Sequence, residues 1–269
     1  VEAWMKEHTG YPTVSGFHEF LYAPETPIKG DLTDYAYHQR GCLAYVIELW
    51  DIFHQIGIET MKPFVDHYTR LDRQHFLALA KWDREVNHSR IFRPWRKVLH
   101  PQLGEVEVGG LNPLVGISNP PFEQLAEICS TQSAAFLRVA ALIPNLKIEL
   151  ISQQSIGPAH TKIELRIANV GYLATYGLPS AKQLPHSEPL RLAAQGPGLK
   201  LIAPAESPIE IGHLDGWGTG LYAGISIFAP WTRGNVHEKV VTLVVEGSGR
   251  LQAKVGSCRV GYQTLEIDV

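Results

Sequence analysis

The stretch DYAYHQRGCLAYVIELW, residues 34–50, carries the strongest structural signal in this sequence. Its tyrosine-rich start predicts a turn or short helix, and the apolar run Cys42–Ile47 predicts a buried β-strand that ends at Glu48. A lone carboxylate in an apolar setting is unfavourable unless it is paired or serves as a base with a raised pKa. Two interpretations of Glu48 therefore stay open, a general base or a strand-end glutamate that pairs with Arg40 or another basic residue.

The same stretch resembles the zinc metallocarboxypeptidases of the carboxypeptidase A type. The resemblance lies in an Asp-aromatic-x-Tyr pattern that ends at Tyr37 and is followed eleven residues later by Glu48 and a leucine. It implies that Glu48 is the general base of an α/β catalytic domain. Residues 13–22 are similar to the family's substrate loop, which makes Tyr22 the mobile residue that closes over the substrate's C-terminal end. The resemblance also places Thr33 near the pocket for the substrate's last side chain.

The zinc ligands of that family are not recognisable in this sequence. The family uses a His-x-x-Glu pair and a later histidine, and none of the twelve histidines here has a glutamate three residues on. The resemblance therefore implies zinc in a parent protein, with its ligands upstream of this chain, and we predict no metal or cofactor for the chain alone. The sequence starts without a methionine or a signal peptide, so we expect a C-terminal piece of a longer protein. The expected partners are the missing N-terminal half of the catalytic domain and the C-terminus of a peptide substrate.

Composition narrows the functional classes. An apolar content of 45% and a charged content of 19% are typical of globular proteins. A formal net charge of −3 disfavours nucleic acid as a partner, and no apolar run reaches the length of a membrane span. The three cysteines, Cys42, Cys129 and Cys258, are far apart and odd in number, which indicates buried free thiols. Together with the absence of a signal peptide, they favour a reducing, cytoplasmic compartment.

The sequence pattern changes near Pro144. Before it, helical spacing of apolar residues predicts helices over Thr69–Val86 and Phe122–Leu142. After it, apolar and polar residues alternate in short runs separated by turn residues, which is typical of an antiparallel sandwich or barrel. Eight apolar positions of these runs are expected to face inward between two sheets: Ile148, Leu150, Ile163, Leu165, Ile225, Ile227, Leu243 and Val245.

Two further groups of residues have open interpretations. The Arg90–Lys97 cluster with Trp95 is either a solvated loop or a site for an anion or a carboxylate. Aromatic residues of the second half either pack in the core or form an exposed strip for carbohydrate or peptide. These aromatic residues are Tyr172, Tyr176, Trp217, Tyr222 and Trp231.

We therefore predict an α+β protein with two domains. Residues 1–145 are expected to be the C-terminal portion of an α/β carboxypeptidase-like catalytic domain, with an insertion at about 52–110. Residues 146–269 are expected to form an all-β, immunoglobulin-like sandwich as an accessory domain. The predicted function is part of a hydrolase that removes C-terminal residues from peptides, with this chain inactive on its own. The alternatives are a non-catalytic β-sandwich binding or scaffold module, or a pseudoenzyme. Half of a catalytic domain exposes sheet edges, so self-association is expected as well.

Overall fold

The computed structural model describes residues 1–20, 25–221 and 236–269. Helices and antiparallel sheets occur together in these residues, so the fold class is mixed α+β, as predicted. The chain divides into two units, the first formed by Val1–Asp31 with Val46–Val139 and the second by Leu32–Tyr45 with Ala140–Val269. Within the described residues, no helix combines the length and the apolar character that crossing a membrane requires.

Most α-helices lie in the first unit, namely α1 (Glu2–Thr9), α3 (Ile52–Gln55), α4 (Asp66–Thr69), α5 (Arg73–Glu85) and α6 (Phe122–Ala140). The second unit contains α2 (Leu32–Arg40), α7 (Trp217–Leu221) and a 3₁₀ turn over Pro179–Gln183. The two longest, α5 and α6, lie where the apolar spacing predicts helices. Asp72 caps α5, because its carboxylate accepts hydrogen bonds from the backbone N–H groups of Gln74 and His75.

A small apolar core joins α3 and α5 in the first unit. Its buried side chains are Ile52, Leu79, Trp82 and Ile91. Beside it, Asp83 of α5 is only 1% exposed and binds the segment that follows the helix. Its Oδ1 accepts hydrogen bonds from the Ile91 N–H at 2.9 Å and from Asn87 Nδ2 at 2.8 Å, and its Oδ2 accepts one from the Phe92 N–H at 3.0 Å. This buried carboxylate fixes the position at which the chain leaves the core.

An antiparallel hairpin follows, formed by β1 (Phe92–His100) and β2 (Gly104–Leu111). The interpretation of Arg90–Lys97 as a solvated loop was wrong, because Arg93–Lys97 lie in β1. The hairpin is mostly exposed on both faces, and β1 lacks the alternation that a strand with one buried face shows, whereas Glu105–Val108 of β2 alternates. A register shift between Arg93 and Arg96, around Pro94, disturbs the pattern further.

Two four-stranded antiparallel sheets make up most of the second unit. One sheet has the order β3 (Leu146–Gly157), β4 (His160–Asn169), β8 (Glu238–Gly247), β6 (Leu199–Ala203). The other has the order β10 (Gly261–Asp268), β9 (Arg250–Ser257), β5 (Leu190–Gln195), β7 (Ile209–Gly212). Side chains of both sheets share one apolar core, in which Leu165 of β4, Leu192 of β5 and Leu251 of β9 are among the most buried.

The alternating pattern identifies most of this core correctly. Four predicted inward positions are 0% exposed, namely Ile163, Leu165, Leu243 and Val245. Ile148 is partly buried against the same core. The prediction was wrong for Leu150, which is 42% exposed, because β3 is an edge strand whose register shifts between Leu150 and Ser152. Ile225 and Ile227 lie outside the described residues.

The segment Leu32–Tyr45 lies with the sheets of the second unit. Arg259 Nε donates a hydrogen bond to the Arg40 carbonyl at 2.7 Å, and the Tyr37 hydroxyl is hydrogen-bonded to Ser180 Oγ. Such contacts join residues far apart in sequence, so no local sequence pattern predicts them. The division into a catalytic part, 1–145, and an accessory part, 146–269, stays a prediction.

All three cysteines are free thiols, as their odd number predicts. The expectation that they are buried was wrong, because Cys129 and Cys258 are exposed and Cys42 is half-buried. Cys129 occupies an exposed position on α6, and Cys258 lies in the turn that joins β9 to β10.

Candidate functional site

Glu48, the residue that the sequence singles out, lies on an irregular and exposed stretch of the chain. The predicted strand Cys42–Ile47 is absent, since residues 41–48 are neither helical nor paired in any sheet of the described chain. A strand needs a neighbouring strand that takes up its backbone hydrogen bonds in a ladder, and no strand of the described residues pairs with this stretch. The expected apolar setting of the Glu48 carboxylate is therefore wrong for this structure.

The backbone immediately after Glu48 is strained. Trp50 has a φ of 141°, which is a rare conformation for a bulky residue. Two contacts hold it there: the indole Nε1–H donates to the Gly116 carbonyl at 3.0 Å, and the ring lies 5.9 Å from that of Trp82 in the core. The Trp50 N–H also donates to the Glu48 carbonyl at 3.2 Å. The core therefore anchors the chain two residues from the candidate base.

Asp51 continues this strained segment and starts α3. Its carboxylate accepts a hydrogen bond from the His54 N–H at 3.2 Å, which caps the helix. The Tyr11 phenol lies close by, and burial, followed by the negative charge of Asp51, raises the pKa of Tyr11. The side chain of Gln132 and the backbone of Trp50 act in the opposite direction on that pKa. Tyr11 therefore stays a neutral phenol at physiological pH.

The structure says little about Tyr22 and Thr33, the other two residues that the resemblance selects. Tyr22 lies outside the described residues. Thr33 is half-buried on α2, which belongs to the second unit, whereas Glu48 belongs to the first. The roles of Tyr22 and Thr33 in substrate binding stay predictions.

The zinc implied by the resemblance does not fit the side chains described. In residues 1–20, 25–221 and 236–269, no three His, Cys, Asp or Glu side chains converge in a way that could hold a metal ion. Zinc in such enzymes needs three protein ligands and an open position. Zinc, with ligands upstream of this chain, therefore stays a prediction for the parent protein.

Beside Asp51, the first unit has a cavity of about 680 Å³ that the sequence does not predict. His67 lies in its wall, is 3% exposed and stacks on Phe53 with ring centroids 5.1 Å apart. Its Nε2 lies 3.0 Å from the Met61 N–H and 3.0 Å from the Glu59 carbonyl oxygen. Its Nδ1 has no hydrogen-bond partner in the described structure. The spacing of the histidines in the sequence does not predict that His67 is buried, because its burial depends on how residues 53–68 fold.

A serine–histidine contact occurs in the second unit, between Ser187 Oγ and His213 Nε2 at 3.3 Å. Burial, then the positive charges of Lys182 and Arg259, lower the pKa of His213, so its imidazole is neutral at pH 7. A catalytic pair needs a third group that orients the imidazole. Among the described residues His213 Nδ1 has no hydrogen-bond partner, so this contact lacks the geometry of a nucleophilic triad.

Comparison with known proteins concerns the second unit. Residues 145–268 match the family model of a domain of unknown function, DUF8731. The matched stretch contains β3 to β10 and covers less than half of the chain. No curated protein and no solved structure matches the chain. The two sheets are therefore similar to a recurring domain whose description assigns no activity.

Proposed function

We propose that this chain is part of a zinc-dependent metallocarboxypeptidase, a hydrolase that removes C-terminal residues from peptides, and that Glu48 is its general base. The proposal starts from the residue pattern that ends at Tyr37 and resumes at Glu48. The metal-binding half of the catalytic domain belongs, in this proposal, to sequence upstream of the chain. Tyr22 and Thr33 are proposed to contact the C-terminal residue of the substrate.

The observation that carries the proposal is the state of the segment before Glu48. It is apolar and rich in residues that favour strands, yet Val46 is 67% exposed, and Leu49, directly after Glu48, is 50% exposed. Exposed apolar side chains on a segment without regular secondary structure are unfavourable in water and mark a surface that another element covers. This exposure supports a strand whose neighbours come from a part of the protein outside the described residues.

The anchoring of Trp50 supports the same conclusion. Strained backbone conformations persist only where the surrounding structure enforces them, and they cluster at functional sites. Here the core contacts of Trp50 enforce the strain and hold the segment that carries Glu48. A general base must be held at a fixed distance from the water that it deprotonates.

The chemistry assigned to Glu48 is proton transfer. Its carboxylate would take a proton from the water that attacks the terminal peptide bond, and would then deliver a proton to the departing amine. Glu48 is exposed, so its carboxylate is open to substrate and water. No step is assigned to the metal, because the described residues do not form its site.

For the second unit we propose an immunoglobulin-like sandwich that serves as an accessory domain. Two four-stranded antiparallel sheets on one shared core support this architecture. A non-catalytic binding or scaffold module attached to a carboxypeptidase-like remnant is the alternative, and the following experiment separates the two.

The test uses the product of the complete gene and the substitution Glu48→Gln, with Glu127→Gln on the exposed side of α6 as the matched control. We expect Glu48→Gln to lower kcat for a C-terminally cleaved peptide by about 10²–10⁴-fold, with zinc content unchanged, since a general base contributes about that factor. Glu127→Gln should leave kcat unchanged. Loss of zinc together with activity would make Glu48 a ligand or a structural residue. A wild-type protein without any peptidase activity would favour the non-catalytic module or the pseudoenzyme.

A further inference from the structure

The β1–β2 hairpin of the first unit is an exposed arm with no core beneath it. Most positions of both strands are exposed, and none is buried. Its apolar side chains share this exposure: Trp95 66%, Leu99 84%, Leu103 73%, Val108 40% and Leu111 55%. An isolated two-stranded hairpin is at best marginally stable in water. A third strand or another cover would stabilise it and bury these side chains.

The charges on the hairpin are separated by strand. β1 carries Arg93, Arg96 and Lys97 and no acid, whereas β2 carries Glu105 and Glu107 and no base. Lys97 Nζ forms an ion pair with the Glu105 carboxylate at 2.7 Å. The charge of Lys97 is therefore already paired within the hairpin. Arg93 and Arg96 are exposed and form no ion pair with any described residue. The guanidinium groups of β1 are therefore available to a negatively charged partner.

The start of β1 is firmly attached to the rest of the unit. Asp83 accepts hydrogen bonds from the backbone of Ile91 and Phe92, and Arg90 forms a two-point ion pair with Glu123 of α6 at 2.6 and 2.9 Å. The Arg90 pair lowers the pKa of Glu123 to about 2, so the pair stays charged across the physiological range. The first residue of β1 and the two before it are thus held in place, which lowers the entropic cost of docking an extended segment on the strand.

β1 is also the edge of a two-stranded sheet, because it pairs with β2 on one side alone in the described structure. An edge strand offers backbone N–H and C=O groups to an added strand, a common mode of peptide recognition. Pro94 and the register shift beside it limit the ladder near Arg93, so we expect pairing along Arg96–His100. Trp95, which is exposed next to this stretch, can cover an apolar side chain of the added strand.

We propose that the free edge of β1 binds an acidic peptide segment in extended conformation, which adds to the hairpin as a third strand. Acidic residues of the segment would lie opposite Arg96 within the ladder and beside Arg93 at its end, the two cations of β1 that form no ion pair with a described residue. A peptide fits better than nucleic acid, since the cations are few, the chain has a net charge of −3 and the open backbone edge has no role in phosphate binding. This surface is separate from Glu48, so the proposal does not rest on the carboxypeptidase assignment.

The test measures binding of a fluorescein-labelled peptide of alternating glutamate and valine to the intact chain by fluorescence anisotropy at low salt. Arg93→Gln combined with Arg96→Gln should weaken binding about tenfold or more, because charge-assisted contacts are lost. The matched control is Arg73→Gln combined with Arg84→Gln on exposed positions of α5, which removes the same charge and should leave binding unchanged. Circular dichroism of each variant confirms that it is folded.

Three comparison ligands distinguish strand addition from simple charge attraction. A peptide in which the valines are replaced by proline keeps the charge but cannot form a ladder, and we expect it to bind at least about tenfold more weakly. A lysine–valine peptide should not bind. Equal binding of the proline peptide would refute strand addition. A single-stranded oligonucleotide that binds more tightly than the acidic peptide would refute the choice of partner. If the Arg73/Arg84 control variant loses as much peptide affinity as the Arg93/Arg96 variant, β1 is not the binding site.

Discussion

Replacement of the buried carboxylate of Asp83 tests whether the first unit depends on the polar clamp between α5 and β1. Asp83→Ala removes the acceptor of three hydrogen bonds, two from backbone N–H groups and one from Asn87 Nδ2. Ile91 is 0% exposed, so its N–H has no access to water after the substitution. Asn87 keeps its second hydrogen bond, to the Val115 carbonyl at 3.0 Å.

The magnitude follows from these contacts. The orphaned Ile91 N–H costs about 1–3 kcal/mol, and the lost bonds from Asn87 and from the more exposed Phe92 cost about 1 kcal/mol each. The free energy of unfolding of the first unit should therefore fall by about 3–5 kcal/mol in Asp83→Ala. Asp83→Asn keeps one carbonyl oxygen and turns an NH₂ group toward a backbone donor, so we expect a smaller loss of about 1–2 kcal/mol.

Urea unfolding followed by tryptophan fluorescence measures this effect, because Trp50 and Trp82 lie in or against the same core. The two units unfold as separate transitions if they are independent, and the fluorescence change of the first is the one to fit. The matched control is Asp72→Ala, at the exposed cap of the same helix, with an expected loss of about 0.5–2 kcal/mol. The reasoning is refuted if Asp83→Ala costs less than Asp72→Ala, or if Asp83→Asn is the less stable of the two Asp83 variants.

Two further predictions concern the second unit. Burial, followed by Lys182 and Arg259, lowers the pKa of His213 below its unfolded value of about 6.5, so the unfolded state binds the proton more readily. The contribution of neutral His213 to stability is complete above that pH and is lost as the pH falls. The Tm, followed by circular dichroism, should therefore drop between about pH 7 and pH 5. His213→Gln should reduce that drop. Leu243→Ala, at a fully buried position of β8, should lower the free energy of unfolding by about 2–5 kcal/mol. Leu150→Ala, at the exposed edge, should cost much less, and similar losses for both would contradict the described core.

The sequence by itself determined the regular elements that bury one face. The helical spacing located α5 and α6, and the alternation after Pro144 located the sheets and four fully buried core positions, among them Ile163 and Leu243. These predictions work because a half-buried helix or strand must repeat apolar residues with its own period. The odd count requires at least one free thiol, and the wide separation of the three cysteines favours three, although neither indicates their exposure.

Only the tertiary structure decided the features that depend on distant partners. Cys42–Ile47 has the composition of a strand, yet composition cannot supply the neighbour that a ladder needs, and Glu48 is exposed as a result. The β1–β2 hairpin escaped prediction because neither of its faces is buried, so β1 shows no period of two and the alternation in β2 covers only Glu105–Val108. The hydrogen bond from Arg259 to the Arg40 carbonyl joins residues that are remote in sequence. The contacts of Asp83 with the chain after α5 are made to backbone N–H groups. Backbone groups carry no sequence signal, so such contacts become visible only once the chain is folded.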